Sequence, residues 1–167
     1  MSDKYQDHLI IIPEDDHNRQ IIIGFVNSHH INQRQIDVEN NAGGWDEAVK
    51  KFEREHLRQM AKYPKRHVLI VIDFDEVASE RLSLVKSRIP PDCIDRVFFL
   101  GTKDEPRDLK AAHKLRLTYE EIGQKLASDF SSKDRPENDL WQDGHIVHNL
   151  DELARLCAKV RKFVINS

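Results

Sequence analysis

The stretch HVLIVIDFDEV, residues 67–77, constrains this chain more than any other. Its apolar run lacks polar alternation, so it reads as a strand covered on both faces, as in a parallel sheet with helices above and below. The run ends in Asp73 and Asp75, one residue apart. Carboxylates at the end of a buried strand are tolerable only if that end opens onto a site and not into the core.

Two other runs share the pattern, HLIIIP (8–13) and RVFFLG (96–101), while RQIDVEN (34–40) alternates and suits a strand nearer an edge. Between them lie helical signals. Trp45, Val49, Phe52, Leu57 and Met60 recur at helical spacing over 44–63 with Pro64 as the stop, and residues 75–89 form a second helix closed by Pro90 and Pro91. NRQIIIGFVNSHH (18–30) suits a strand or a helix. Asp15, Asp16 and Asn18 offer N-caps and a parallel sheet needs a crossover here, so a helix is expected. Further helices are expected over 107–117, over 118–130 with a Thr118–Glu121 capping box, and over 149–165 with Leu150, Leu153, Leu156, Val160 and Phe163 on one face. A polar loop over 131–144 separates the last two.

Strands alternating with helices predict right-handed crossovers and the α/β class. The expected architecture is a Rossmann-like three-layer sandwich with a mostly parallel four-stranded sheet in which the first and third strands are adjacent. At 167 residues the chain suits one core, read as residues 1–117, with a helical C-terminal extension, residues 118–167, packed on it.

The net charge of −3 argues against coating nucleic acid by bulk electrostatics, but a bound divalent metal reverses the local field, so an enzyme acting on nucleic acid is allowed. Cys93 and Cys157 lack metal-site or disulfide spacing. The start MSDKYQDH has no signal-peptide character and no run is long enough to span a bilayer, so a cytoplasmic protein with no membrane partner is expected.

In a parallel sheet the loops after the carboxyl ends of the strands share one edge, where ligands bind. This chain places its acids there: Glu14, Asp15 and Asp16 after the first strand, Asp73, Asp75 and Glu76 after the third, Asp104 and Glu105 after the fourth. Clustered carboxylates repel one another, and a hard divalent cation with oxygen ligands resolves the repulsion. Mg²⁺ (or Mn²⁺) fits best. Two aspartates at i and i+2 point the same way if strand geometry persists, so Asp73 and Asp75 would share a metal that Glu14 completes. Alternatively these acids only cap the helices that follow.

Together, LIIIPEDD, NNAGGWDEAVKKF and VLIVIDFDE resemble the Toprim domain of topoisomerases, bacterial primases, recombination-repair proteins and overcoming-lysogenization-defect-class nucleases. The resemblance covers roughly residues 8–105. It implies metal-dependent phosphoryl transfer or phosphodiester cleavage, with Glu14 as metal ligand or general acid/base and Asp73 and Asp75 holding Mg²⁺. Many Toprim domains carry a glycine directly after the glutamate. Here Asp15 follows, either narrowing the approach of a phosphate or adding a ligand.

Other residues join the expected site. Lys103 would stabilise charge on a phosphoryl group and Glu105 would hold a second metal, with Arg107 and Lys110 contacting phosphate. Gly43 and Gly44 either make a tight turn or let a polymeric substrate pass close to the acids. His145 and His148 beside Trp141 form a candidate stacking surface for bases. The expected partners are nucleic acid, DNA or RNA, bound transiently, and a partner protein or a second copy in a homodimer. The Asp-x-Asp also resembles the haloacid-dehalogenase-type phosphatase motif, although there it sits on the first core strand. Asp15, Asp16, Asp73, Thr102 and Lys103 loosely match a response-regulator receiver, and a non-catalytic partner-binding module is the last alternative.

Overall fold

The structure is a computed structural model that describes residues 2–103, 106–112, 117–132, 139–146 and 149–166. In chain order the elements are β1 (His8–Pro13), α1 (Asp16–Val26), β2 (Ile36–Val38), α2 (Trp45–Glu55), α3 (Leu57–Lys62) and β3 (Arg66–Val71). After these come α4 (Ala78–Ser87), β4 (Val97–Leu100), α5 (Pro106–Ala112), α6 (Tyr119–Ser131) and α7 (Leu150–Val164). The four strands form one all-parallel sheet in the order β2-β1-β3-β4, with the first and third strands adjacent as expected.

Successive residues of each strand face opposite layers. Leu9, Ile11, Leu69, Phe98 and Leu100 pack under α1, α5, α6 and α7, while Ile10, Ile12, Val68, Ile70, Val97 and Phe99 pack against α2, α3 and α4. Both faces of the sheet are therefore covered, which is why β1 and β4 are buried along their whole length. The expected three-layer α/β architecture is the observed one. Among the described residues no helix is long and apolar enough to cross a membrane.

The ambiguous 18–30 segment is a helix over its first part. Asp15 caps α1 by accepting from the Asn18 backbone N–H at 2.9 Å. Thr118 and Glu121 form the predicted reciprocal capping box on α6. The helix expected over 44–63 is instead two, α2 and α3, broken at His56. His56 is buried, and its Nε2 lies 2.6 Å from Glu39 Oε1, so the imidazole is drawn across to the segment after β2.

α6 and α7 pack directly on the sheet and share one hydrophobic cluster with it, through Ile122, Leu126, Leu153, Leu156 and Val160. Polar side chains at the start of α7 also close the outer edge of β4. Glu152 Oε2 accepts from the Phe99 N–H at 3.1 Å, Arg155 Nη2 donates to the Val97 carbonyl at 2.7 Å, and Asn149 pairs with both backbone groups of Gly101. An uncovered edge strand is a template for aggregation, and these side chains satisfy its free backbone groups. Glu152 is only 3% exposed, and Lys86 and Arg155 neutralise it, holding its carboxyl below the usual range against the opposing effect of burial.

α1 and α6 meet at two glycines. A Cβ on Gly24 would lie 1.9 Å from the Glu120 carbonyl oxygen, and one on Gly123 would lie 1.9 Å from that of Ile21. These contacts involve backbone, which cannot step aside as a flexible side chain can. Gly24→Ala and Gly123→Ala are therefore each expected to force the helices apart and destabilise the fold by about 2 kcal/mol or more, against the small gain alanine gives in an open helix. Urea unfolding of the two variants beside the parent checks this.

Candidate metal and phosphate site

β1 and β3 pair in register from His8↔Arg66 to Pro13↔Val71, and the ladder continues with the Glu14 N–H donating to the Val71 carbonyl at 2.9 Å. The next rung would join the Asp73 N–H to the Glu14 carbonyl. That carbonyl has turned away to accept from the Gly43 N–H at 2.9 Å, and the Glu14 side chain takes the vacated place, with Oε2 accepting from the Asp73 N–H at 2.6 Å. Strand order reverses between β1 and β3, so this rung lies at the topological switch point, the favoured ligand position in an open α/β sheet.

Carboxylate oxygens of Glu14, Asp15 and Asp73 all lie within 4.8 Å of one another. Asp73 is buried, and its Oδ1 accepts from Asn18 Nδ2 at 3.0 Å and from the Thr102 hydroxyl at 3.3 Å. The Asn18 amide also donates to Asp15 Oδ1 at 3.0 Å, so one buried side chain bridges two acids and holds them at a fixed spacing. Burial is the main reason the Glu14 carboxyl is raised to about 7 and Asp73 to about 6. Asp15 and Asp75 raise both further, and Asp73 also raises Glu14. The hydrogen bonds to Glu14 and Asp73 act in the opposite direction.

The sequence pattern differs from this geometry at Asp75. The third strand ends at Val71, and although Ile72 and Phe74 still bond to Leu100 and Thr102, Asp75 and Glu76 adopt left-handed backbone with φ of 47° and 62°. Such conformations cost non-glycine residues about 1 kcal/mol or more each. The turn is held by the Glu76 N–H, which donates to the Lys103 carbonyl at 2.8 Å. Asp75 is thereby directed to Arg81, whose Nη1 lies 2.5 Å from its Oδ2, and Asp15 takes its expected place in the cluster. The i, i+2 argument needs extended backbone through Asp75, and the backbone leaves that conformation first.

Lys103 follows β4 with an exposed side chain, and its N–H donates to the His145 carbonyl at 2.6 Å, tying the loop to the segment before α7. Arg107 is exposed on α5, 3.9 Å from Asp108. Glu105 and His148 lie outside the described residues, as does the side chain of Lys110. Gly43 and Gly44 have φ of 96° and 146°, and a Cβ on either would meet no atom within 4 Å, so open space flanks the backbone beside Glu14. Trp141 does not form a stacking surface: it is buried in the core and its indole N–H donates to the Leu126 carbonyl at 3.0 Å.

Asn18 and Thr102 are the residues whose role the sequence pattern misses. Each is a common cap or loop residue, and only the approach of α1 and β4 to the end of β3 brings them to Asp73. A second grouping, Glu39, Glu55 and His56, differs in kind. Lys51 already pairs with Glu39 Oε2 at 3.2 Å, and Arg66 Nη1 lies 3.4 Å from His56 Nδ1, so cations of the chain itself neutralise it.

Comparison of the chain with protein-family models, with curated proteins and with solved structures finds no match to any of them.

Raised carboxyls make a signed prediction. A carboxyl raised on folding stabilises the protein while it stays protonated, below its ordinary value of 4.5 for Glu14 and 3.8 for Asp73. That stability is lost as pH rises through about 7 and about 6 respectively. In the presence of chelator, the contribution of these two groups to the melting temperature should fall between about pH 4 and pH 7.5, and the double variant Glu14→Gln, Asp73→Asn should flatten that fall. Melting curves across the range, parent against double variant, check it.

Proposed function

We propose that this chain is a Mg²⁺- or Mn²⁺-dependent phosphoryl-transfer enzyme of Toprim type, cleaving nucleic-acid phosphodiesters. The observation that carries the reading is the half-buried Glu14–Asp15–Asp73 cluster at the β1/β3 switch point, open on the side of Gly43 and Gly44. Three carboxylates whose oxygens approach within 4.8 Å suit a hard, oxygen-seeking divalent cation, and burial makes their charge costly without one.

Glu14, Asp15 and Asp73 would hold the metal, with Asp75 within electrostatic reach. Bound there, the cation would neutralise charge on the phosphoryl oxygens and on the leaving oxygen. The rest of the chemistry falls to the chain. Asn18 and Thr102 hold the Asp73 carboxylate by Oδ1, which fixes the direction of its other oxygen. Glu14 is anchored at Oε2 by the Asp73 N–H, which would leave Oε1 to bind the metal or to exchange a proton. The open backbone at Gly43 and Gly44 would let a strand approach the acids. Lys103, exposed on the neighbouring loop, would supply positive charge to the phosphate.

The competing reading, a phosphatase using Asp73 as nucleophile, would attack through Oδ2, the oxygen that Asn18 and Thr102 leave open, so the preferred substrate decides between the two. A receiver-like or partner-binding module would need no turnover at all. One set of measurements separates these. Mg²⁺ or Mn²⁺ at millimolar concentration should raise the melting temperature of the parent, Asp73→Asn should abolish the rise, and the parent should cut single- or double-stranded DNA or RNA with either metal. Glu14→Gln should reduce cleavage by at least a hundredfold. Absence of any metal-induced stabilisation would sink the reading, and turnover of a small phosphomonoester with polymers left intact would favour the phosphatase.

A further inference from the structure

Arg81 lies against the carboxylate cluster without belonging to it. From the first turns of α4 its Nη1 donates to the Asp73 carbonyl at 3.0 Å and to Asp75 Oδ2 at 2.5 Å. Its guanidinium carbon stands 4.7 Å from the centroid of the Trp45 ring, on the first residue of α2, directly after Gly43 and Gly44. The side chain is only 14% exposed. Contacts from two other segments therefore immobilise a long side chain that on an open surface would sample many rotamers.

All the hydrogen bonds that hold it run through one nitrogen. Nε and Nη2 have no hydrogen-bond partner among the described residues, and neither is completely buried. These two nitrogens form the side-on edge of the guanidinium, the fork that binds two oxygens of a phosphate at once. A fork already oriented loses little entropy on binding. Asp75 does not block it, because Asp75 engages the opposite nitrogen and is itself 54% exposed, where an ion pair contributes little. The electrostatic setting agrees: the acids on one side need a cation, and an anion held beside that cation needs a positive group of its own.

We propose that Arg81 is the phosphate-recognition residue of this site, its Nε–Nη2 edge taking two oxygens of a nucleic-acid phosphodiester, with Trp45 as the residue that positions it. The assignment rests on the phosphodiester reading above, and its test is chosen to fail separately. Binding of a fluorescent single-stranded oligonucleotide is measured by anisotropy with Ca²⁺ in place of Mg²⁺, across a series of salt concentrations, with a nucleoside 5′-monophosphate as competitor. The Mn²⁺-induced melting shift reports independently on the acids.

Arg81→Ala is expected to weaken oligonucleotide binding about tenfold, as loss of a charge-assisted bidentate contact does, and to lower the salt slope by about one. The Mn²⁺ shift should remain. Arg81→Lys should restore the salt slope and only part of the affinity, since it keeps the charge and loses the fork. The monophosphate should compete only weakly if a strand is the ligand, and competition at equal concentration would reassign the fork to a phosphomonoester. Unchanged affinity and salt slope in a folded Arg81→Ala overturn the proposal while the metal reading stands, as does a parent that binds Mn²⁺ and no oligonucleotide. If Arg81→Ala does not fold, Arg81→Lys decides, and parental affinity in that variant overturns the fork. A parent that binds neither Mn²⁺ nor oligonucleotide removes the functional reading, and this assignment with it.

Discussion

The β1–β3 pairing is the contact on which the rest depends. It is the longest ladder in the sheet, six residues in register, and it sets Glu14 beside Asp73. Because the Glu14 carbonyl turns to Gly43, the ladder ends with a side chain in place of a backbone rung, and one carboxylate closes the sheet while facing another. A slip of one residue would exchange the faces of every strand residue and carry Leu9 and Ile11 out of the layer that α6 and α7 cover. Register, core and site therefore stand or fall together.

The two helical layers serve different purposes around that ladder. α1 brings Asn18 and the capping Asp15 to the end of β3 from one side, and Gly24 and Gly123 let α6 press directly on α1 to keep it there. From the other side, α2 and α4 supply Trp45 and Arg81. The site is thus a cluster of acids held by a neutral amide on one flank and bordered by a cation on the other. α7 closes the outer edge of β4, which fixes Gly101 and the turn that presents Thr102 to Asp73. A helix with no residue at the site still determines where the site's residues lie.

How much of this is legible in the amino-acid sequence differs by residue. Glu14 and Asp73 are legible because each directly follows an apolar run, and strand ends in an α/β chain share an edge. Asp75 is misplaced by the same logic, since its position turns on whether the backbone stays extended, and the bond from the Glu76 N–H to the Lys103 carbonyl decides that it does not. Trp141 beside two histidines resembles a surface platform in the sequence, yet its indole is required in the core between α6 and the sheet. Asn18 and Arg81 carry no local signal, because their partners lie 55 and six residues away, and the role of each is defined by where its neighbours' backbones end.

By itself, the sequence determined the class of the fold, the strands, most of the helices, and the edge at which the acids gather. Those follow from periodicity and from apolar runs, which act locally and survive without knowledge of the whole. Only the tertiary structure decided which three carboxylates meet, that Asp15 stands where Asp75 was expected, and that Arg81 lies beside them held through Nη1 alone among the described residues. Those outcomes depend on ångström-scale choices at strand ends, where long-range backbone bonds outweigh the local pattern.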